Sequence, residues 1–209
     1  MCSLFWFQWM ALAALVLCKT LFVIRLYGLI KRGAPKDLAK ASGSVSKGVT
    51  YSFMQAMMPH NKESAYLHLP TYGAGIIYHA GTLLSLMAFV WFFVSTFFVW
   101  PTPKIVALIC CVALAGAACC GIALFCKRII KRELRALSCA DDYISNGLTT
   151  LFQLLTACYF VCNHPLPYYI VTTLFFLWLP IGKTRHLLYF FAARFHLGFF
   201  YGRRNVWPQ

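Results

Sequence analysis

Six histidines are the residues of this 209-residue chain best suited to holding a metal or moving a proton. Two of them share a local pattern. Gly75 stands four residues before His79, and Gly182 four before His186. On a helix, residues four apart share a face, so each imidazole has bare backbone one turn away. That leaves room for a flat macrocycle, and two imidazoles from different helices can hold a haem b iron between them. Lys183 and Arg185 flank the second histidine, where cations can pair with propionates. Plainer uses exist for the same residues. A single histidine can hydrogen-bond a neighbouring helix, glycines are common where helices touch, and cations at the end of an apolar segment can serve only to orient it.

The elements that must position these residues follow from composition. The chain is 61% hydrophobic and 11% charged, against about a quarter charged in soluble domains. That excludes a soluble globular enzyme, a disordered tail and a disulfide-stapled secreted domain. No charged residue occurs between Glu63 and Lys104, between Lys104 and Lys127, or between Asp142 and Lys183. A bilayer span needs about 20 mainly apolar residues, so the expectation is an all-α, polytopic bundle of five transmembrane helices in one membrane domain. They are expected at about 4–29, 72–99, 104–126, 143–162 and 168–191. A polar loop at 31–70 carries Lys36, Lys40, Lys47 and Lys62, with Pro35 among its breakers, and a tail covers 192–209. Trp100-Pro101-Thr102-Pro103 and Asn163-His164-Pro165-Leu166-Pro167 supply stops, because proline cannot continue a helix. The first segment lacks a basic n-region, and Leu17 before Cys18 is wrong for lipoprotein cleavage, so it is expected to be retained.

Charge placement gives a direction. The net charge is +14, and 16 of the 19 Lys and Arg fall in the loops after the first and third spans or toward the C-terminus. The positive-inside bias therefore puts the N-terminus outside and the C-terminus in the cytoplasm. Basic residues beside span ends indicate topology rather than nucleic-acid binding. The ten cysteines lie mostly inside apolar segments and form no Cys-x-x-Cys pattern, which suits small buried residues better than a zinc or redox site.

On this topology His79 lies roughly 10 Å into its span, at 1.5 Å per residue, and His186 ends the fifth span on the same side. His60 and His68 fall in or near the polar loop, His164 in an outer turn and His196 in the tail. The segments Tyr78-His79-Ala80-Gly81-Thr82-Leu83 and Leu179-Pro180-Ile181-Gly182-Lys183-Thr184-Arg185-His186 resemble the membrane cytochrome b subunits of respiratory complexes. These include the nitrate reductase gamma subunit and the cytochrome b subunits of sulfate-reducer and heterodisulfide-reductase-like complexes. Met57-Met58-Pro59-His60-Asn61-Lys62-Glu63-Ser64 is similar to a segment of the latter group. Asp142-Tyr143 and Gly202-Arg203-Arg204-Asn205 also fit, and the resemblance runs through all five spans in order.

The resemblance implies haem b between the second and fifth helices, quinone chemistry, and a docked cytoplasmic iron–sulfur subunit in a prokaryotic inner membrane. An outer-face multihaem cytochrome c is a further partner it allows, besides membrane lipid. His79 and His186 match a ligand pair that holds the haem nearer the cytoplasm. The family's other two ligands fall on Phe89 and Tyr168, neither of which ligates a b-type haem, so one haem is expected. Lys19, Arg25 and His164 are the candidate polar donors to a quinone. Two rivals stand beside the electron-transfer subunit: a cofactor-free membrane anchor or assembly subunit, and a small transporter with a polar path.

Overall fold

The computed structural model describes residues 4–33, 37–61, 65, 67–98 and 100–208, and every regular element among them is helical. Pro35, Lys36 and the Lys62-Glu63-Ser64 stretch lie outside the described residues. Four helices are long and apolar enough to cross a bilayer. They are α1 (Trp6–Arg32), α3 (Leu69–Phe98), α4 (Lys104–Ile130) and α6 (Ala140–Cys162). A broken pair, α7 (Pro165–Trp178) with the Lys183–Arg203 segment that contains α8 (His186–Arg203), qualifies when taken together and brings the number to five. Two short helices, α2 (Val45–Phe53) and α5 (Arg132–Ala136), are also present among the described residues.

Local chemistry sets the ends. Pro103 is the N-cap of α4, whose last turn carries Lys127 and Arg128, where cations meet the negative end of the helix dipole. The start of α6 is a reciprocal cap. Asp142 accepts from the Cys139 amide at 3.0 Å, and Asp141 and Asp142 both sit in the first turn. Asn163 closes α6 at φ 50, a left-handed conformation that asparagine tolerates, and Pro165 opens α7.

The stretch 168–191, expected as one span, is helical in two pieces. Pro180 offers no amide to continue the helix. The Ile181 and Gly182 amides both return to the Trp178 carbonyl at 2.9 Å, and a 3-10 turn at Lys183–Arg185 leads into α8. The polar loop expected at 31–70 holds α2 and two single turns, Gln55–Met57 and Pro59–Asn61. Most of the expected tail belongs to α8.

The chain divides into two compact units, 1–20 with 70–184 and 21–69 with 185–209. In the first unit α6 packs along α4, with α7 folded against α6. Glycines permit the closest approaches. A Cβ on Gly81 would strike Ala117, and one on Gly121 would strike Thr150 and the Tyr78 ring. Between these helices runs a polar seam. Gln153 is fully buried, and its amide nitrogen donates to the Tyr78 carbonyl and to Thr82 Oγ1, both at 2.8 Å. Tyr78 Oη donates to the Asn146 carbonyl at 2.9 Å. Further along, aromatic rings fill the interior. Phe152 stacks on Phe175 with centroids 4.6 Å apart, Phe89 meets Phe176 at 5.0 Å, and Phe92 packs among Tyr159, Phe160 and Tyr168.

In the second unit α2 lies on α8 through glycines on both sides. A Cβ on Gly48 would meet Gly202 and the Gly198 carbonyl, and one on Gly198 would meet the Val49 backbone. Ser52 Oγ donates to the Arg194 carbonyl at 2.8 Å. The amides of Ser42 and Gly43 cap the Arg203 carbonyl at 2.9 and 3.0 Å. Asp37 pairs with Arg204 at 2.7 Å and Arg203 at 3.7 Å, and Trp207 packs against Tyr51 and Tyr201.

Because backbone meets backbone here, Gly198→Val should detach α2 from α8. Overpacking costs about 1–3 kcal/mol where neighbours can move, and backbone cannot. Limited trypsinolysis should show faster cleavage at Lys40 and Lys47. Gly28→Ala, where a Cβ would meet nothing within 4 Å, should leave the pattern unchanged.

Candidate functional site

His79 sits on the tenth and eleventh residues' turn of α3, one position after Tyr78. Successive residues on a helix are rotated by about 100°. Tyr78 is buried against α6 and bonded to Asn146, so His79 stands on an exposed face of the first unit. Its ring lies 6.1 Å from that of Tyr78. Gly75, one turn earlier, has no atom within 4 Å of where a Cβ would be.

The residues around the second histidine are divided. Gly182 and Lys183 belong to the first unit, and Arg185 and His186 to the second, so neither unit alone contains the His79/His186 pair. A Cβ on Gly182 would strike the Trp178 indole. That indole is anchored, since its nitrogen donates to Ser145 Oγ at 2.9 Å, and Ser145 Oγ donates to Asp141 at 2.6 Å. The bareness of Gly182 is therefore used by Trp178. Lys183 is engaged as well. Its ammonium bonds Asp142 at 2.7 Å, and its amide donates to Asp141 at 3.1 Å. Arg185 is exposed at the N-cap of α8, and His186 is the exposed first residue of that helix.

Phe89 and Tyr168, the positions matching the resembled family's other ligands, are buried within the aromatic packing. Phe89 is 3% exposed and Tyr168 not at all. Tyr168 stacks on Tyr159 at 4.9 Å, so rings fill the space around it.

The three candidate quinone donors lie apart from one another along the chain. Lys19 is exposed in the part of α1 that belongs to the first unit, Arg25 is half-buried in the second, and His164 is the exposed N-cap of α7. A cavity of about 460 Å³ lies near His164 in sequence, and Asn163, Lys104, Thr96, Thr102, Tyr159 and Phe92 help line it. Lys104 is a residue that reasoning on motifs passes over, although it is the lone charge between Glu63 and Lys127. Thr96 is 17 residues along α3 from His79, roughly 25 Å at 1.5 Å per residue. A ligand in this cavity would not touch a group held at His79. Among the described residues, no group of three or more metal-ligating side chains forms.

No protein-family model matches the chain, and neither a curated protein nor a solved structure matches it.

The glycines separate two kinds of use. Gly182→Ala should lower thermal stability, and adding Trp178→Ala should remove part of that penalty, a coupling that a double-mutant cycle reads. Gly75→Ala should leave the melting temperature of the cofactor-free chain within about 0.5 kcal/mol equivalent of the parent.

Proposed function

We propose that this multi-pass chain is the haem b-bearing subunit of a quinone-linked respiratory complex, passing electrons between the quinone pool and a cytoplasmic iron–sulfur subunit. The observation that carries the reading is His79 beside Gly75. An imidazole stands exposed on a helix long and apolar enough to cross a membrane, one turn from a glycine whose added Cβ would meet nothing within 4 Å among the described residues. Ionisable side chains at membrane depth are costly and are kept where they serve a site. The order of motifs along the chain, which resembles that of respiratory cytochrome b subunits, supplies the second ligand, His186.

Haem b bound there supplies a one-electron relay whose potential depends on its axial ligands and burial. The chain's residues hold and orient it. Tyr78, anchored to Asn146, fixes the backbone that presents His79. Gly75 leaves space for the macrocycle edge, and Arg185 offers a cation for a propionate. Lys183, already bonded to Asp142, braces the turn that leads to His186. Lys19, Arg25 and His164 remain the candidate donors to a quinone carbonyl. The topology belongs to the same reading: N-terminus outside, C-terminus cytoplasmic, in a prokaryotic inner membrane, with the iron–sulfur partner on the basic side. An outer-face multihaem cytochrome c is a further partner that this arrangement allows.

A cofactor-free anchor is the second reading. It is favoured by the first unit's own use of Gly182 and Lys183. A pyridine haemochrome assay on protein purified from haem-supplied cells separates the two. The cytochrome reading expects one haem b per chain, lost in His79→Ala and in His186→Ala while helical circular dichroism is retained, with quinol oxidation lost alongside. Absence of haem from the parent chain would overturn it in favour of the anchor.

A further inference from the structure

The segment that follows α4 has two faces of opposite character. Within and beside α5, Arg132 and Arg135 fall on one side of the helix, and Leu134 and Leu137 fall about 160° away at 100° per residue. Every residue from Ile129 to Leu137 is exposed within the first unit. Leu137 is 82% exposed and Ile130 77%. Lys131, Arg132 and Arg135 make no ion pair among the described residues. Glu133 is the only acid between Lys127 and Ser138. The nearby acids are otherwise committed, Asp142 to Arg128 and Lys183, and Asp141 to Ser145.

The segment is also held in place. Arg128 donates to Ser138 Oγ at 3.1 Å, and Ser138 Oγ donates to the Leu134 carbonyl at 2.6 Å. Through Asp142 the same Arg128 ties the segment to the start of α6. An element fixed at the end of a helix long and apolar enough to cross a membrane, with arginines on one side and exposed leucines on the other, has the chemistry of a boundary between hydrocarbon and headgroup.

We propose that Lys131, Arg132 and Arg135 bind the headgroups of anionic phospholipids in the leaflet at which α4 ends, with Ile130, Leu134 and Leu137 among the acyl chains. Two features favour lipid over an acidic protein. The segment begins directly after a bilayer span, where basic clusters meet anionic headgroups. Leu134 and Leu137 lie opposite Arg132 and Arg135, as apolar and basic side chains do in helices that lie in the interface plane. This site is independent of any haem.

The test uses the full chain in detergent, with phosphatidylglycerol or phosphatidylcholine added and retained lipid measured by native mass spectrometry. Phosphatidylglycerol should be retained preferentially, and the preference should fall as salt rises, since exposed charges are screened. At about 1 kcal/mol per cation near the surface, the triple variant K131Q/R132Q/R135Q should lose preference on the order of a hundredfold. Arg132→Lys with Arg135→Lys should keep it, which guards against misfolding of the neutral variant. Equal retention of the two lipids by the parent chain overturns the proposal. So does equal preference in the parent and the neutral variant. Amine labelling of Lys131 in vesicles supplies a second reading, with protection expected in phosphatidylglycerol but not in phosphatidylcholine. If Lys131 is protected only in native membranes and cross-links there to another polypeptide, the surface docks a protein and the lipid assignment falls.

Discussion

The Gln153 amide is the interaction on which the first unit depends. In a bilayer the hydrophobic effect does not draw helices together, and association rests on close packing and on hydrogen bonds between helices. Gln153 supplies both kinds of hold. Its two bonds to Tyr78 and Thr82 fix α6 against one face of α3, and they do so where Gly81 and Gly121 let backbones come close. Once Tyr78 is committed inward to Asn146, helical rotation leaves His79 on a different face. The exposure of His79 is thus a consequence of how its neighbour Tyr78 packs.

Much of this was legible in the sequence. The gaps between charges outline the spans because charge inside hydrocarbon is expensive, and the structure has helices at each gap. The Pro-rich turns mark two of the boundaries for the reason that proline lacks an amide. What the sequence concealed were choices made by tertiary contact. Val45–Phe53 holds a glycine and three β-branched residues, poor helix formers by themselves, and it is helical where Gly48 allows it to lie against α8. The break after Trp178 was written in Pro180, but an apolar stretch around it hides a break from any hydropathy count.

The candidate site was legible to differing degrees for similar reasons. Gly75 and Gly182 occupy equivalent positions before a histidine, and spacing alone treats them alike. The structure does not. One faces open space and the other a tryptophan edge, a difference set by Ser145 and Asp141 on another helix. Lys183 likewise reads as a cation beside a histidine until Asp142 claims it. Spacing reports which residues share a face, while competition among neighbours decides what that face is used for.

This competition bears on how the two histidines differ. His79 is placed by a buried polar seam whose members are all within the span, so its position is set by helix packing. The backbone leading to His186 is placed by a charged turn, Asp141 and Asp142 with Lys183, at an exposed edge. Solvent screens the exposed ammonium of that pair, whereas a buried, hydrogen-bonded amide that loses its partners leaves an unsatisfied group costing about 1–3 kcal/mol. The backbone beneath His79 thus takes its place from buried packing, and the backbone before His186 from an exposed turn.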